Sequence, residues 1–498
     1  MTALQNPLAF AGACIHAGDY PGAERACRQI LDWDPGMGQA WFVLGVATQL
    51  RGKLTDSVAY YRNALRFAPG NAEAWNNMGA SLSSLRRPAE AEPCLRKALE
   101  LEPGYAQAHN NLGNVLAAQG RFDEAVASYH RALHFKPDYV EVFDHLGLVL
   151  QAQGKLEEAV VWFDKAIENA PDSGTIHMNR ALACLQRGDF ARGWTEYEWR
   201  FRCREHPVLD QGRPFWDGSP LEGRTVLLWT EQGLGDSIQF IRFAPAVAAR
   251  GGRVFVSCPQ SLTALLATCP GVDAAFAEGS PAPDYDCHAP LMSLPRLLET
   301  TVETIPTQVP YLSADPAALS RWHEELGSGD GLKIGIAWQG NPDHKKDRQR
   351  SFRLDLFERL AAIEGVRLFS LQKGFGAEQL DKAAGRFPVV DLGRRLGDLA
   401  DAAAVIGNLD LIIMPDTALA HLAGALGVPV WVAVQFSADW RWMLDREDTP
   451  WYPTMRLFRQ RRWNDWDEVF DRIGQELHQM RNQWDNSHLV LDSELITF

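Results

Sequence analysis

The stretch MPDTALAHLAGALGVPVWVAV, residues 414–434, contains a small-residue segment that ends at Gly427 and lies between two apolar runs. This pattern predicts a strand, a helix and a second strand of a parallel sheet. Asp416 and Thr417 fall where the helix should begin, and free backbone N–H groups and the helix dipole make such a helix start favourable for an anion. His421 should share the face of Thr417, because the two residues are four positions apart.

The composition is that of a globular protein with several domains. The chain has 498 residues, of which 46% are hydrophobic and 22% are charged, and its net charge of −14 argues against general nucleic-acid binding. Its eight cysteines form no Cys-x-x-Cys pair, so we expect reduced core thiols rather than a metal or disulfide framework. We find no secretory signal and no apolar run of about 20 residues, which predicts a cytoplasmic protein without a membrane span.

The first two hundred residues repeat with a fixed period. Prolines recur every 34 residues, at positions 35, 69, 103, 137 and 171. One template returns around them, as AWFVLG at 40–45, AWNNMG at 74–79, AHNNLG at 108–113 and VFDHLG at 142–147. This period and its pattern of small and large positions resemble the tetratricopeptide repeat family. The resemblance implies an α-solenoid of antiparallel helix pairs over residues 1–203.

One polar position recurs along the first helix of the repeats. It is occupied by Asn77, Asn111, His145 and Asn179, each 34 residues after the one before. Side-chain amides aligned on one surface can bond the backbone of an extended peptide with little regard to its sequence, so these residues are candidates for binding an acceptor peptide. The alternative is that they are ordinary polar positions that pack one helix against the next.

The second half alternates strands and helices. Strands are predicted at 224–230 and 253–258, joined by the glycine-rich EQGLGDS and a helix from about Ile238 to Arg250. Further strands are predicted at 333–338, 366–371, 388–392, 409–414 and 429–434. A proline-rich stretch, 280–316, marks a hinge. We therefore predict two doubly wound domains, 204–316 and 317–498, with a ligand at the carboxyl ends of their strands.

Two motifs in this half resemble those of heptosyltransferase-type GT-B glycosyltransferases. They are E-x-G-L-G-D at 231–236 and D-T-A-x-x-H-L-A-G-A-L-G at 416–427. Repeats ahead of such a half resemble the O-linked N-acetylglucosamine transferases and bacterial repeat-containing glycosyltransferases, including flagellin-modifying ones. The resemblance implies an α + α/β protein, a tetratricopeptide α-solenoid followed by a GT-B fold of two Rossmann-like domains. It also implies a nucleotide-sugar donor with no cofactor and no metal.

Candidate donor-binding residues follow three predicted strands. Asp416, Thr417, Ala418 and His421 would receive the diphosphate, with Gly235 of the other motif nearby; the alternative is an Asp/Thr cap on an ordinary helix. The loop WQGNPDHKKDRQRS, 338–351, offers the cations His344, Lys345, Lys346, Arg348 and Arg350, which could clamp phosphates or simply be solvated. Gln372 and Lys373, at the end of a further strand, could contact the nucleoside.

Asp236 is the first candidate for the catalytic base, because the resemblance places a catalytic aspartate at this motif. A helix cap is the alternative role for this residue. His288, in DYDCHAPLMSLP, is the second candidate, and a structural loop histidine is its alternative. The aromatic segments DWRWM, 439–443, and TPWYP, 449–453, are expected to pack rather than to stack on a sugar.

These features predict an inverting, metal-independent glycosyltransferase acting on a protein acceptor held by the repeats. Two alternatives stay open. The same catalytic half could modify a lipopolysaccharide-type or small acceptor, with the repeats used for assembly, or the chain could be a scaffold whose glycosyltransferase half no longer turns over.

Overall fold

The computed structural model describes residues 7–203, 212–281, 283–327, 329, 331–344 and 346–495, with the side chains described up to residue 482. Lys345 and part of the segment that follows the repeats lie outside these residues. The chain divides into two compact units, Met1–Arg180 and Ala181–Phe498. The domain limits predicted at 203/204 and 316/317 stay predictions.

The first unit is an array of antiparallel helix pairs, which confirms the repeat prediction. Its helices are α1 Pro7–His16, α2 Tyr20–Trp33, α3 Gly38–Leu50, α4 Leu54–Phe67, α5 Ala72–Ser84, α6 Pro88–Leu101, α7 Ala106–Ala118, α8 Phe122–Phe135, α9 Val140–Ala152, α10 Leu156–Asn169 and α11 Gly174–Arg187, the last of which ends in the second unit.

The glycine of the repeated template explains how the two helices of a pair come together. A Cβ on Gly113 would lie 2.4 Å from the ring of Tyr129, and one on Gly147 would lie 2.4 Å from the ring of Phe163. Both rings are almost wholly buried. The missing side chain on the first helix therefore makes room for the large side chain on the second.

The second unit opens with α12 Phe190–Tyr197 and a short 3-10 turn, Glu198–Arg202. These elements pack on the sheet region that follows, because the guanidinium of Arg200 donates to both carboxylate oxygens of Glu231, at 2.9 and 2.8 Å. The ring of Trp194 meets that of Phe240 edge-on, with the centroids 5.8 Å apart.

The first sheet has four parallel strands in the order β3-β2-β1-β4. The elements of this region are β1 Thr225–Trp229, α13 Leu234–Phe240, α14 Ala244–Ala248, β2 Arg253–Cys258, α15 Thr263–Leu266, β3 Ala274–Ala277, β4 Cys287–Pro290 and α16 Leu294–Leu297.

The second sheet has six parallel strands in the order β10-β9-β8-β5-β6-β7. Its elements are α17 Pro316–Leu326, β5 Leu332–Ile336, α18 Asp347–Arg350, α19 Glu358–Ala361, β6 Val366–Ser370, α20 Glu378–Ala383, β7 Val390–Asp391, α21 Leu399–Ile406, β8 Leu411–Pro415, α22 Ala418–Ala425, β9 Val430–Val434, β10 Met455–Arg459 and α23 Trp466–Leu495. All seven strands predicted in this half are present, and the α + α/β fold class is confirmed.

The helix predicted from Ile238 to Arg250 is wrong in its bounds. The helix begins earlier, at Leu234, and is interrupted by a 3-10 turn, Ile241–Phe243, before α14. Pro245 accounts for the interruption, because proline has no N–H to donate to the preceding turn and its ring clashes with the carbonyl four residues back.

Three strands were not predicted, namely β3, β4 and β10. All eight cysteines are free thiols in the structure; seven of them are buried and Cys203 is partly exposed. Within the described ranges, we find no helix that is both long enough and apolar enough to cross a membrane.

Candidate functional site

In both sheets the chain first adds strands on one side of the first strand and then continues on its other side. In the second sheet the chain proceeds from β5 outward to β6 and β7, then returns to the other side of β5 with β8. The loops after β5 and β8 diverge at this point and leave a crevice at the carboxyl edge, where ligands bind in open parallel sheets. The first sheet has the same arrangement around β1 and β4.

Helix α22 starts at this crevice, directly after β8. Its N-cap residue, Thr417, has an extended backbone (φ −142°) and makes no side-chain hydrogen bond to the helix. The Thr417 hydroxyl lies 3.7 Å from the sulfur of Met414 instead. The first N–H groups of α22, beginning at Ala418, are therefore not capped by a side chain, which suits an anion.

Asp416 and His421 are held together beside that helix start. Nε2 of His421 lies 3.6 Å from Oδ1 of Asp416, and the indole N–H of Trp442 donates to Oδ2 of Asp416 at 2.9 Å. Burial raises the pKa of Asp416, but the hydrogen bond and charge of His421 and the bond from Trp442 outweigh it, so the net pKa is lowered. An ionised carboxylate repels phosphate, so a direct phosphate contact is not favoured for Asp416.

His421 is fixed on its other sides by aromatic residues. Its Nδ1 is 3.0 Å from the hydroxyl of Tyr452, and its ring stacks on Trp442 with the centroids 5.6 Å apart and the planes 16° apart. The histidine is only 5% exposed. The predicted position of His421 near the helix start is therefore reproduced, with both ring nitrogens beside polar partners.

The loop after β5 contributes one cation directly to the helix start. Nη1 of Arg350 donates to the backbone oxygen of Asp416 at 3.0 Å, and its Nε donates to Asp347 at 3.3 Å. Gly340 is needed beside them, because its Cβ would lie 2.6 Å from Nη2 of Arg350. Arg350 thus bridges the two loops of the crevice.

The other described cations of that loop are more exposed. His344, Lys346 and Arg348 all lie on the surface. Partial burial, followed by the charges of Arg350 and Lys346, lowers the pKa of His344. This shift favours the neutral form of the histidine, and Lys345 lies outside the described residues.

The glycine-rich motif of the first sheet meets the start of α22. A Cβ on Gly235 would lie 3.0 Å from Cδ2 of His421 and 3.5 Å from Cα of Ala418. Two motifs that are far apart in sequence therefore contact each other through the first turns of α13 and α22, at the carboxyl edges of two sheets.

Asp236 is bonded through both carboxylate oxygens. Its Oδ2 accepts the N–H of Gly233 at 2.8 Å, which is the capping role considered as the alternative. Its Oδ1 forms an ion pair with Nη2 of Arg441, a residue of the second sheet's region. The Asp236 side chain is 19% exposed, so these two bonds do not bury it completely.

Arg441 was not identified from the sequence. It lies in a 3-10 turn, Trp440–Trp442, within the segment that was expected only to pack. Burial disfavours its charge, but the carboxylates of Asp439 and Asp236 outweigh burial and raise its pKa. The arginine in DWRWM was the available signal, because a charged residue among three large apolar ones needs a partner when it is buried.

A second buried arginine, Arg242, contacts the tyrosines that pack next to His421. It donates to the hydroxyl of Tyr311 at 2.8 Å and lies over the ring of Tyr452 at 4.3 Å from the centroid. The Tyr311 hydroxyl is 3.5 Å from that of Tyr452, which contacts His421. This chain of contacts fixes the tyrosine that orients the histidine.

Gln372 and Lys373 bond the backbone of neighbouring loops. Oε1 of Gln372 accepts the N–H groups of Trp338 and Gln339, at 3.0 and 3.1 Å, and its Nε2 donates to Gln339 and Phe375. Nζ of Lys373 donates to two carbonyl oxygens, at 2.6 and 2.7 Å. These side chains shape the crevice, and a direct nucleoside contact is not favoured for either.

Phe375 is the residue at this edge that sequence reasoning missed. It is 60% exposed, between Gly374 and Gly376, which both have positive φ. The loop is held rigidly, because Gln372 donates to the oxygen of Phe375 at 2.7 Å and Trp338 donates to that of Gly376 at 3.1 Å. A fixed loop therefore presents an exposed aromatic ring after β6.

His288 lies in strand β4 rather than in a loop, and it is 1% exposed. Its Nδ1 accepts the indole N–H of Trp229 at 3.2 Å, so its Nε2 donates to the oxygen of Arg213 at 3.0 Å. Neither ring nitrogen is open to an acceptor hydroxyl. The structure thus corrects the second base candidate in favour of a structural histidine.

The polar ladder of the repeats bonds between neighbouring repeats. Asn111 donates to Oδ1 of Asn76 at 2.8 Å, and Asn179 donates to Oδ1 of Asp144 at 2.9 Å. His145 makes the equivalent contact to Asn110 at 2.8 Å, and Asn77 accepts from Asn76 at 3.1 Å. These contacts favour the alternative role of packing helix against helix.

No group of three or more His, Cys, Asp and Glu side chains in the described part of the chain is arranged to hold a metal ion.

Family profiles match two parts of the chain. A tetratricopeptide repeat profile matches residues 15–72, 76–140 and 146–197. A glycosyltransferase family 9 (heptosyltransferase) profile matches residues 303–434, which include the DTA motif and not the GLGD motif.

Among curated proteins, the chain is similar to Protein FlbA of Caulobacter vibrioides (strain ATCC 19089 / CIP 103742 / CB 15). The two are 29% identical over 332 residues, which are 60% of this chain and 54% of the relative. The chain therefore spans about half the length of the curated relative it matches.

Two solved structures are also similar to parts of the chain. MamA matches with 27% identity and a TM-score of 0.31, over 32% of this chain and 94% of MamA. PilW, described as a widely conserved type IV pilus biogenesis factor, matches with 27% identity and a TM-score of 0.37, over 40% of this chain and 91% of PilW. Profiles of tetratricopeptide repeats and of glycosyltransferase family 9 thus match successive parts of the chain, the helical repeats first and then part of the sheet region.

Proposed function

We propose that the chain is an inverting, metal-independent glycosyltransferase of the GT-B type, which acts in the cytoplasm. It moves a sugar from a nucleotide-sugar to a hydroxyl group of a protein acceptor. The observation that carries this proposal is the uncapped start of α22, which lies at the crevice of the second sheet with Arg350 and His421 beside it.

The donor diphosphate binds at the first N–H groups of α22 and beside Arg350. Adjacent strands are about 4.8 Å apart, so the edge from β8 across β5 to β6 measures about 10 Å. A nucleoside diphosphate laid along this edge brings its base to Phe375, the exposed ring after β6. Stacking on such a ring suits any base, because every base has a π face.

The acceptor oxygen attacks the anomeric carbon of the sugar from the side of the first sheet. The bond between that carbon and the phosphate oxygen breaks, and the nucleoside diphosphate leaves with the electron pair. Asp236 takes the proton of the acceptor hydroxyl, because it lies on α13 beside Gly235, which contacts the start of α22. The helix dipole and Arg350 stabilise the leaving diphosphate in place of a metal.

The repeats bind the protein acceptor through surfaces other than the polar ladder, whose side chains bond between repeats. A flagellin is the protein to test first, because the sequence resembles repeat-containing enzymes that include flagellin-modifying ones. The same ladder contacts favour a second candidate, in which the repeats serve assembly and the acceptor is a lipopolysaccharide-type or small molecule.

Donor consumption tests the proposal. The full chain is incubated with UDP-, GDP-, ADP- and CMP-linked sugars, with and without EDTA, and nucleotide release is measured. We expect release from one donor class, unchanged by EDTA and strongly reduced in Asp236→Asn and His421→Ala. Release from none of the donors would contradict the proposal, and transfer to small acceptors alone would favour the second candidate.

A further inference from the structure

Arg441 connects the two sheets through its guanidinium group. It forms the ion pair with Asp236, while its Nε donates to Oε1 of Gln239 at 2.6 Å and its Nη1 donates to Oδ1 of Asp439 at 2.8 Å. The residue is 8% exposed, and its guanidinium lies 4.4 Å from the ring centroid of Trp440. Every nitrogen of the group therefore has a fixed partner.

Asp236 is held from two directions as a result. Arg441 binds one carboxylate oxygen and the N–H of Gly233 binds the other. Two such bonds fix the plane of the carboxylate and the angle of its χ torsions. The carboxylate is nevertheless partly exposed, at 19%, so its remaining lone pairs can receive a proton.

We propose that Arg441 is the positioning residue of Asp236, which fixes the plane of that carboxylate and aims it into the crevice. This inference rests on the proposed function, in which Asp236 accepts the proton of the acceptor. Removing one of the two bonds that orient the base should lower the rate, because a small displacement of a reacting group is costly.

Asp439 and Gln239 in turn hold Arg441. Asp439 also accepts the backbone N–H of Arg441 at 3.1 Å, so it fixes the turn and the side chain together. Gln239 is fully buried on α13, one turn after Asp236. The turn that carries Arg441 is therefore part of the machinery that prepares the base, although it belongs to the other sheet's region.

The division of the effect between kcat and KM distinguishes positioning from a purely structural link. In the full chain, kcat and KM are measured for the donor that the wild type consumes, with water or the acceptor as the receiving group. In Arg441→Gln we expect kcat to fall about 10- to 100-fold, because the carboxylate loses one of its two directed bonds. We expect KM for the donor to change less than 3-fold, because the start of α22 is unchanged.

Arg441→Lys restores the charge at this position. It should not restore kcat, because an ammonium group cannot form the same three directed bonds. Arg446→Gln is the matched control, since Arg446 lies in the same segment and pairs with Asp448 at 2.7 Å. It should leave both kcat and KM unchanged.

Loss of Arg441 leaves two carboxylates without their cation and could unfold the protein. Gln239→Met is the second variant, because it removes one bond to Arg441 and keeps both ion pairs. It should lower kcat by a smaller factor and change KM for the donor less than 3-fold. If the wild type turns over and neither Arg441→Gln nor Gln239→Met lowers kcat, the positioning role is wrong, whereas an inactive wild type would contradict the proposed function itself.

Discussion

Gly235 lies against His421 so closely that a Cβ on the glycine would be 3.0 Å from the ring carbon Cδ2. The glycine belongs to the first turn of α13, the helix after β1, and the histidine to α22, the helix after β8. The regions of the two sheets therefore meet at residues of the two motifs. This contact leaves no room for a side chain at position 235. It also keeps the α13 backbone within reach of a group bound at the start of α22.

Gly235→Ala should reduce activity more than stability. The added methyl group must displace His421, whose ring is fixed by Trp442 and Tyr452. We expect kcat/KM for the donor to fall about 10-fold, since a small displacement of a reacting group is costly. Steady-state kinetics and thermal unfolding of the full chain check this.

Gly70→Ala is the control for the glycine substitution, because a Cβ there would meet nothing within 4 Å. It should leave kcat/KM unchanged. Equal kinetic effects of both substitutions would show that the contact with His421 is unimportant.

Arg350→Ala should weaken donor binding. Arg350 bonds the backbone of Asp416 beside the uncapped helix start, and its removal takes one cation from the proposed phosphate site. We expect KM for the nucleotide-sugar to rise about 10-fold, because a charged hydrogen bond contributes about 1.5–3 kcal/mol. The rise should shrink at high salt, where charges are screened.

Arg353→Ala is its matched control, three residues along the chain. Arg353 is 77% exposed on its side chain and pairs with Asp355 at 3.3 Å. Its removal should not change KM, and a rise as large as that of Arg350→Ala would mean that only the general charge of the loop matters.

The repeats and the βαβ units could be predicted because their signals are local. Each repeat is predicted from small residues that recur every 34 positions, and each βαβ unit from an apolar run that precedes a helix start. Both patterns lie within a short stretch of the chain. Strand β3 was missed because AAFA is short and only half-buried. The core position of His288 was missed because its partners, Trp229 and Arg213, come from elsewhere in the chain.

The sequence predicted the two motifs of the candidate site, but it did not predict the contacts between their residues and the rest of the site. Asp236 and His421 follow from the motifs, whereas the pairing of Asp236 with Arg441 depends on how the two sheets pack. Gln372 shows the opposite error, since a polar residue at a strand end suggested a ligand contact and proved to bond loop backbone. The sequence shows which polar side chains are present, and the packing of the fold decides which of them are already hydrogen-bonded within the protein.

Glu92 should make the repeats less stable in acid. Its carboxylate receives hydrogen bonds from Gln119, Arg96 and Arg121. Burial raises its pKa, but these bonds outweigh burial and lower the pKa to about 2. The stabilisation is therefore complete above about pH 4.5 and is lost as the pH falls towards 2.

Glu92→Gln should lower the free energy of unfolding by about 1 kcal/mol at pH 7, because water screens a pair this close to the surface. The difference from the wild type should shrink between pH 4.5 and pH 3 in urea unfolding. Glu100→Gln is the control, since Glu100 is 68% exposed on its side chain and pairs with Lys97. A difference that stays constant with pH would contradict the assignment.

Asn111→Ala distinguishes the two roles considered for the polar ladder. Asn111 on α7 donates to Asn76 on α5, whose side chain is fully buried. If the ladder holds neighbouring repeats together, the substitution should lower the free energy of unfolding by about 1 kcal/mol. The double variant with Asn76→Ala should show a coupling energy of about 0.5 kcal/mol or more, because the two residues share one bond.

Asn169→Ala is the control, since Asn169 is exposed and bonds within its own helix, to Lys165 at 2.9 Å. If the free energy of unfolding does not change and the two substitutions show no coupling, the peptide-binding role is favoured instead. In that role Asn111→Ala weakens acceptor binding and leaves the fold unchanged.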